Sequence, residues 1–454
     1  MVFPDYENLM KPLFILFLLH LPCHAMGFAN GVKIGEVTDT STVLWARLTE
    51  NPEATHRVAE WRPEAPNWKV PGKSGEIRFS ISEVGKASAA RITPWQPAVA
   101  ENDFTSQQTL DGLSPSTRYT FEVQARSEGV EPVSMKGFFS TAPSAHADAE
   151  ITFTVSTCQE FELRDDLDHG HRIYRSMLTL NPAFFIQSGD TLYYDRKPPL
   201  AKNMEIARYQ WGRMYSLPFQ KSFHQRIPSY WMHDDHDLLK NDAWPGQTYG
   251  ELTWEQGIKI WREQIPQSDK PYRTFRWGKD LQIWLPEGRE FRSPNTMEDG
   301  PNKSILGKTQ WKWLEETMRA SDATFKLYIS ATPVVGPDRD GKNDNHANNG
   351  FHHEGGRLRK FLNTIPGCFV INGDRHWQYH SKDPETGINE FGCGPASDAH
   401  AQGWNPNDIR PEHRFLRVGG GFGSIKIDGD KATFTHHDVN GKEVYSTQIS
   451  AVRK

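Results

Sequence analysis

Residues 185–195 read Phe-Ile-Gln-Ser-Gly-Asp-Thr-Leu-Tyr-Tyr-Asp. An apolar run that breaks into Ser-Gly predicts a buried strand closed by a tight turn. In an open α/β sheet, ligands bind beyond the carboxyl ends of the strands, so this turn puts Asp190 where chemistry takes place. Three more polar clusters follow apolar runs in the same way, at residues 155–159, 231–237 and 370–376. Four such strand ends predict one shared site.

The region 28–143 has an all-β pattern. Its runs at 42–48 and 77–81 are rich in β-branched and aromatic residues, which favours strands. A Leu-x-Pro-x-x-x-Tyr sequence ending at Tyr119 is typical of the tyrosine corner of an immunoglobulin-like or fibronectin type III sandwich. We therefore predict an N-terminal β-sandwich domain over 28–143, followed by a linker of small residues over 142–149.

From residue 150 to residue 454 strands alternate with helical segments. Helices are predicted at 173–178, 204–215 and 311–318, a strand at 325–330, and a terminal β-hairpin at 424–435. This alternation predicts an α/β domain whose sheet layers are covered by helices. The 454 residues are enough for two or three domains with cores of their own.

The N-terminal residues 1–25 have the features of a signal peptide. The apolar block at 13–21 is too short to span a bilayer, and a start at Met10 gives it the usual basic lead-in. A buried N-terminal helix is the alternative. No later stretch is apolar enough to cross a membrane, so we expect a secreted or periplasmic protein without a membrane anchor after cleavage.

The composition limits the kinds of partner that we expect the protein to bind. The net charge of -5 provides no global basic field, which argues against a nucleic-acid-binding surface. Four cysteines are too few for a disulfide scaffold, and Cys23 leaves with the signal peptide. Either Cys368 and Cys393 pair, or they and Cys158 are all buried thiols.

The strand-end residues include donors for two kinds of metal ion. Asp190, Asp235 and Asp374 offer hard oxygen atoms, whereas Cys158 offers sulfur and His376 nitrogen. Carboxylates suit Ca²⁺, Mg²⁺ or Mn²⁺, while a thiolate or a phenolate such as that of Tyr193 suits a transition metal. Each cluster alone is equally compatible with a solvated acidic turn or a hairpin turn, but four clusters in one domain favour a site of two unlike metals.

At these residues the chain resembles the alkaline phosphatase D (PhoD-like) family of metallophosphoesterases. The elements Ser-x-Cys-Gln, Gly-Asp-x-x-Tyr, Asp-Asp-His-Asp and Gly-Asp-x-His occur in the family's order, and the segments 287–292 and 306–314 support the match. An all-β N-terminal domain also fits the family's layout.

The resemblance implies roles for eight residues. Cys158, Asp190, Tyr193 and His376 would bind a ferric ion, and Asp190 would bridge to a second metal, Ca²⁺ in family members, with Mn²⁺, Mg²⁺ or Zn²⁺ as alternatives. Asp235 and Asp374 are the expected ligands of that second ion. His236 would be the leaving-group acid or a phosphate contact, and Arg289 a phosphate clamp.

The sequence departs from the family's pattern at two places. The wider superfamily has a His before Pro on a late strand, where this chain has Thr332, so a replacement ligand is expected from Asp344, Asn345 or His346. No Arg pair precedes residue 13, which favours export by the general secretory route over the twin-arginine route.

The resulting expectation is a monomeric, extracytoplasmic phosphomonoesterase or phosphodiesterase. Two cations would activate a hydroxide and neutralise the phosphoryl oxygens of a small phosphate ester or a lipid head group. The alternatives are a phospholipase D-like diesterase and a catalytically dead binding protein. Because every motif position holds a competent donor, the enzyme is favoured over the binding protein.

Overall fold

The computed structural model describes residues 26–54, 68–86 and 89–451. The predicted signal peptide, and with it Met10 and Cys23, lies outside the described residues. Within them, no helix is both long and apolar enough to cross a bilayer.

The N-terminal region consists of eight strands and one short 3-10 turn among its described residues. Tyr119 lies on the seventh strand, and its hydroxyl accepts a hydrogen bond from the backbone N–H of Ser114 at 2.9 Å, as a tyrosine corner predicts. The strands are β1 Val32–Gly35, β2 Ser41–Arg47, β3 Gly75–Glu83, β4 Arg91–Ile92, β5 Gln96–Ala98, β6 Thr105–Asp111, β7 Arg118–Ser127 and β8 Val130–Ser140.

These strands form two antiparallel groups, β1-β2-β6 and a five-stranded sheet of β3, β4, β5, β7 and β8. The first group is continuous with the sheet of the next region, because Gly35 of β1 pairs in parallel with Ser229. Lys33 and Trp45 strengthen the junction, since they donate to the backbone carbonyls of Gln264 at 2.6 Å and Glu263 at 2.7 Å. The sequence analysis did not anticipate this shared sheet, and the boundary at 142–149 stays a prediction.

The second region alternates strands and helices, as expected. Its helices are α1 Arg172–Thr179, α2 Met204–Tyr215, α3 Pro218–His224, α4 Trp254–Gln264, α5 Gly307–Ala320 and α6 His352–Asn363. Its strands are β9 Ile151–Ser156, β10 Phe184–Ser188, β11 Ser229–Met232, β12 Thr248–Tyr249, β13 Leu252–Thr253, β14 Arg273–Trp277, β15 Leu281–Leu285, β16 Phe325–Ser330, β17 Cys368–Asn372, β18 Gln378–Lys382, β19 Asn389–Cys393, β20 His413–Arg417, β21 Gly421–Asp428, β22 Lys431–Asp438 and β23 Glu443–Ser450. The helix predicted at 204–215, the strand at 325–330 and the hairpin β21–β22 are confirmed.

Two mixed sheets form the body of this region. The larger has the order β23-β22-β21-β9-β10-β11-β1-β2-β6, and the smaller β14-β15-β16-β17-β19-β18-β20. Their inner faces share one apolar core that includes Phe153, Ile186, Leu327 and Phe369. Helices α1 to α4 cover the outer face of the larger sheet, and α5 and α6 that of the smaller. Each sheet therefore has helices on one face only and the other sheet on its second face.

The chemistry-bearing strand ends meet at one edge. Strands β9, β10 and β11 are parallel neighbours in the larger sheet, while β17 lies in the smaller sheet. The two sheets touch here, because the backbone N–H of Asp374 donates to Thr157 Oγ1 at 3.3 Å. Cys158, Asp190 and Asp374 all have left-handed backbone conformations, with φ of 51°, 52° and 63°. Such a conformation is uncommon for residues other than glycine, and strain of this kind clusters at functional sites.

Candidate active site

Asp190 is the centre of the site. Its Oδ2 lies 3.3 Å from Cys158 Sγ and 3.0 Å from Tyr193 Oη. The same phenolic oxygen lies 3.1 Å from His376 Nε2. Four donor groups thus converge although they follow three different strands: a sulfur, a phenolic oxygen, an imidazole nitrogen and a carboxylate. The structure brings together all four residues that were predicted to bind the first metal.

The turn before Asp190 requires glycine. Gly189 has a φ of 96°, and a Cβ atom there would lie 2.9 Å from the Cβ of Asp234 and 3.3 Å from that of Ala331. A side chain at this position would push apart the strand ends of the two sheets. The Ser-Gly-Asp sequence therefore lets β10 approach its neighbours closely enough to place Asp190 between them.

Oδ1 of Asp190 and Oδ2 of Asp234 are buried carboxylate oxygens without a hydrogen-bond partner among the described residues. Asp190, Asp234 and Asp374 offer oxygen atoms that all lie within 4.8 Å of one another. Unpaired buried carboxylates are costly unless a cation compensates them. An all-oxygen set of donors that shares Asp190 therefore lies next to the Cys, Tyr and His donors. Together these residues fit two cations of different character.

Without a bound cation, burial and the neighbouring negative charges determine the pKa values of this cluster. Burial and the neighbouring Asp190 carboxylate raise the pKa of Cys158 and of Tyr193 well above their ordinary values. Burial also raises the pKa of Asp374 to about 7. A bound cation inverts this balance, since it deprotonates a coordinating thiol outright.

Asp235 has a different environment from its neighbour Asp234. Its Oδ1 accepts from the backbone N–H of His236 at 3.0 Å, and its Oδ2 accepts from the backbone N–H of Asp242. Burial alone would raise the pKa of Asp235, but Arg289 lowers it to about 2. Asp235 also forms a close group with Asp190 and His236. The sequence analysis selected Asp235 and missed Asp234, whose open oxygen makes it an equally strong candidate ligand.

Arg289 lies behind the carboxylates and is almost fully buried. Its Nε donates to Asp234 Oδ1 and its Nη1 to the carbonyl of Ala243 at 3.3 Å. Its Nη2, which makes no hydrogen bond to a described residue, lies 3.7 Å from both Asp235 and Asp344. This geometry orients Asp234; contact with phosphate, the role predicted from the sequence, stays a prediction.

His236 is paired with a carboxylate that the sequence analysis did not single out. Its Nδ1 lies 2.5 Å from Asp195 Oδ1, and the other oxygen of Asp195 accepts from the backbone N–H of Asn241 at 2.8 Å. Burial would lower the pKa of His236, but Asp235, Asp190 and Asp195 raise it to about 10. The imidazole is therefore held in a fixed orientation at the edge of the site. The only sequence signal for Asp195 is its position five residues after Asp190.

None of the three residues proposed to replace the late-strand His joins a candidate cluster. His346 Nε2 lies 3.0 Å from Glu354, and Asn345 Nδ2 donates to Asp338 at 2.8 Å. Asp344 faces Arg289 and Lys342, 3.7 Å and 3.8 Å away. These contacts engage all three in ion pairs or hydrogen bonds outside the groups around Asp190.

His400 lies beside the site, and no sequence pattern predicted it. Its ring centroid lies 4.0 Å from that of His376, and its Nδ1 is 3.1 Å from the carbonyl of Cys158. Its Nε2 lies 3.6 Å from Glu160, a buried carboxylate whose oxygens make no hydrogen bond to described residues. His400 thus packs behind the predicted imidazole ligand. Elsewhere, Cys368 and Cys393 are unpaired, as is Cys158, so the disulfide alternative is wrong.

Two sequence profiles of one family match the chain. The profile of PhoD-like phosphatase matches residues 153–415, and the profile of the PhoD-like phosphatase N-terminal domain matches residues 21–143. This chain belongs to the PhoD-like phosphatase family. It is therefore a phosphoric ester hydrolase, and membership implies metal dependence, for which the clusters around Asp190 provide candidate groups. The resemblance inferred from the strand-end motifs is confirmed.

Similar proteins agree with this membership in the PhoD-like phosphatase family. Alkaline phosphatase D of Bacillus subtilis (strain 168) is 22% identical over 444 residues, which cover 85% of this chain and 71% of the relative. A solved structure of PhoD superposes with a TM-score of 0.74 at 17% identity, over 93% of this chain and 89% of that one. A purple acid phosphatase, PPD1 from yellow lupin, superposes with a TM-score of 0.64 at 11% identity, over 92% and 74%. The structural matches establish a fold shared with these two phosphatases.

Proposed function

We propose that this PhoD-like phosphatase hydrolyses phosphate monoesters and diesters of small molecules at a two-cation site outside the cytoplasm. The observation that carries the proposal is the environment of Asp190. One of its oxygens faces the thiol of Cys158 and the phenol of Tyr193, and the other is buried without a hydrogen-bond partner in the described part of the chain. A carboxylate in that position is suited to bridge two cations.

The residues would divide between the cations by donor type. Cys158, Tyr193, His376 and Asp190 form a set suited to Fe³⁺, and Asp190 also belongs to an oxygen set suited to Ca²⁺ or Mn²⁺. Asp234, Asp235 and Asp374 are the candidates for that second set. When bound, such a pair of cations lowers the pKa of a water molecule and neutralises charge on the phosphoryl oxygens.

In this proposal His236 protonates the leaving group. Asp195 holds Nδ1, so the orientation of the ring is fixed and Nε2 is left to donate a proton to the oxygen of the departing alcohol. Tyr193 packs against the same ring with centroids 4.4 Å apart, which restricts its rotation. Breaking the P–O bond then gives a neutral alcohol instead of an alkoxide.

Arg196 supplies positive charge near the site. Its side chain is about one-third exposed, its Nε lies 4.0 Å from Glu160, and its guanidinium is 5.9 Å from the ring centroid of Tyr193. A partly exposed guanidinium beside buried donors suits an anionic substrate that arrives from solvent. Arg196 is thus the accessible cationic group in our proposal, in contrast to the buried Arg289.

The test is a substrate panel combined with elemental analysis. Purified protein is assayed on p-nitrophenyl phosphate, bis-p-nitrophenyl phosphate and a phosphatidylcholine vesicle, each with and without chelator. We expect hydrolysis of the soluble esters that chelator abolishes, together with about two metal equivalents per chain. Preference for the vesicle would favour the phospholipase D-like alternative. Metal-loaded protein that hydrolyses no ester would overturn the proposal and favour a binding protein.

Location and assembly are separate parts of the proposal. The predicted signal peptide spans residues 1–25, so N-terminal sequencing of protein from the culture medium or periplasm tests export. Gel filtration tests the expected monomer.

A further inference from the structure

A second cluster of metal-binding side chains lies next to the site but does not belong to it. His233, Glu287 and Glu290 offer ligand atoms that all lie within 4.8 Å of one another. His233 directly precedes the carboxylates of Asp234 and Asp235, yet its ring packs edge-on against Trp261, with centroids 5.1 Å apart. The cluster therefore faces helix α4, whereas the carboxylates face β9 and β10.

The separations between these donors are compatible with ligands that share one metal ion. His233 Nε2 lies 3.4 Å from Glu287 Oε1 and 3.6 Å from Glu290 Oε1. A charge-assisted hydrogen bond between imidazole and carboxylate is shorter, about 2.7–2.9 Å. Two ligands of one tetrahedral Zn²⁺ ion, each about 2.0–2.2 Å from the metal, lie about 3.3–3.5 Å apart. Octahedral Mg²⁺ would bring neighbouring ligands to about 3.0 Å.

The cluster holds two carboxylates and one imidazole, with one guanidinium at its margin. The oxygens of Glu287 accept backbone N–H groups from Arg289 at 2.7 Å and Glu290 at 2.5 Å, which carry no full charge. Arg262 is about half-exposed and lies 3.7 Å from Oε2 of Glu290, whereas His233 pairs with Oε1 of the same carboxylate. Two carboxylates thus share one imidazole.

Arg273, the other cation of this region, is used elsewhere. It pairs with Glu36 at 2.5 Å and donates to the carbonyl of Trp231 at 2.7 Å. His233 Nδ1 is buried and has no hydrogen-bond partner among the described residues. No hydrogen bond to a described residue therefore fixes the ring at Nδ1. Its orientation depends on packing against Trp261 and on the groups that Nε2 faces.

The three side chains border a small cavity. A cavity of about 10 Å³ is lined by His233, Glu287 and Glu290, together with Trp231, Trp261, Gln267 and Arg273. A volume of this size is about that of one water molecule or one ion. It is too small for an organic ligand.

We propose that His233, Glu287 and Glu290 bind a structural Zn²⁺ ion, with a water molecule as the fourth ligand. One imidazole and two carboxylates are a donor set that zinc accepts. The ion would fix the turn 287–290 against β11. Because Arg289 lies on this turn and donates to Asp234, the zinc ion would help to hold the candidate oxygen ligands of the active site in place.

The decisive experiment locates zinc directly in the unmodified protein. Full-length protein is dialysed against Zn²⁺ and crystallised, and diffraction is measured on both sides of the zinc absorption edge. We expect an anomalous peak bounded by His233, Glu287 and Glu290, in addition to any peak at Asp190. A water molecule or no density between the three, with zinc confined to the Asp190 region, would overturn the proposal.

A matched pair of variants gives a second readout. Glu290→Gln keeps the shape of the side chain but removes the charge, and we expect bound zinc to fall by one equivalent per chain by mass spectrometry. Glu255→Gln, an exposed residue of α4, should leave the zinc content unchanged. Equal zinc content in the wild type and both variants would identify the cluster as a metal-free ion triad.

Discussion

The phenolic oxygen of Tyr193 lies 3.0 Å from Oδ2 of Asp190, only three residues earlier in the chain. The left-handed backbone of Asp190, with φ of 52°, reverses the chain after β10 and folds the phenol back toward the carboxylate. The next residue points elsewhere, because the hydroxyl of Tyr194 accepts a 2.7 Å hydrogen bond from Trp211 within an apolar cluster. Two adjacent tyrosines thus have opposite environments.

This difference predicts a colour test. A phenolate or thiolate bound to Fe³⁺ gives charge-transfer absorption in the visible range. We expect the iron-loaded protein to be coloured and its band to shift in Tyr193→Phe and in Cys158→Ser. Tyr194→Phe is the matched control and should leave the band unchanged, while loss of the bond to Trp211 costs about 1–3 kcal/mol of stability. A colourless, active protein without iron would exclude a ferric centre.

Asp190→Asn should reduce turnover of p-nitrophenyl phosphate at least about a hundredfold. A carboxamide neither bridges two cations well nor offsets their charge, and two-metal catalysis depends on both. The control is Asp322→Asn, because Asp322 is exposed and pairs with Arg276 on the surface. Turnover within tenfold of the wild type would contradict the central role of Asp190.

His236→Ala should slow alkyl phosphate esters more than p-nitrophenyl esters. General-acid assistance contributes roughly 10²–10⁴-fold, and less where the leaving oxygen is already acidic. Asp195→Asn, which loosens the hold on Nδ1, should show the same substrate dependence with a smaller loss. Kinetics on the two ester classes measure this, and equal losses on both would assign His236 to phosphate or metal binding instead.

Glu354 predicts a pH-dependent contribution to stability. Its buried carboxylate accepts from Ile305 at 2.5 Å and from Trp311 at 2.5 Å, and it lies 3.0 Å from His346. Burial would raise its pKa, but these partners and Ser304 lower it from 4.5 to about 2. A lowered folded-state pKa stabilises the protein above the unfolded pKa, and this stabilisation is lost as the pH falls through 2.

Glu354→Gln should therefore reduce the free energy of unfolding by about 2–3 kcal/mol at pH 7. The difference from the wild type should shrink as the pH is lowered from about 4.5, which urea unfolding at a series of pH values can follow. Glu315→Gln, in an exposed pair with Arg357, is the control and should change stability by less than about 1 kcal/mol. A pH-independent difference would refute the electrostatic explanation.

A chain that begins at Ala149 should be less soluble than the full chain but should keep its catalytic activity. None of the candidate site residues precedes Cys158, so the described N-terminal strands contribute no group to the site. Removing them exposes the edge of β11 and uncovers Tyr215, whose ring Lys33 covers at 3.7 Å. We expect aggregation, with activity per metal-loaded soluble molecule within tenfold of the full chain. A soluble, fully metal-loaded fragment without activity would contradict this.

The sequence was informative where chemistry depends on local pattern. Apolar runs that end in Asp or Cys predicted the ends of β9, β10, β11 and β17. This was possible because the burial of a strand and the polarity of its end both depend on residues that are adjacent in the sequence. The same rule could not choose between Asp234 and Asp235. Which of two adjacent carboxylates stays open depends on the backbone N–H groups of His236 and Asp242, and these are set by the loop conformation.

Other residues were not predictable because they reach the site through tertiary packing. His400 lies in the short 3-10 helix Asp398–His400, far along the chain from Cys158, and its contact with the carbonyl of that residue depends on how the two sheets meet. The continuity of the larger sheet was not predictable for the same reason, because it also depends on tertiary packing. A single residue pair, Gly35 with Ser229, joins strands that the sequence assigns to different domains.

The position of β9 in the larger sheet has a consequence for synthesis of the protein. This strand leads into Cys158 and lies between β10, which follows it closely, and β21, which begins only at Gly421. Translation must therefore pass residue 421 before β9 gains its second neighbour. Pairing across such a distance in the chain is slow to form. A product terminated before Gly421 keeps β9 as an open edge, so we expect late nonsense mutations to yield aggregates instead of a shorter working enzyme.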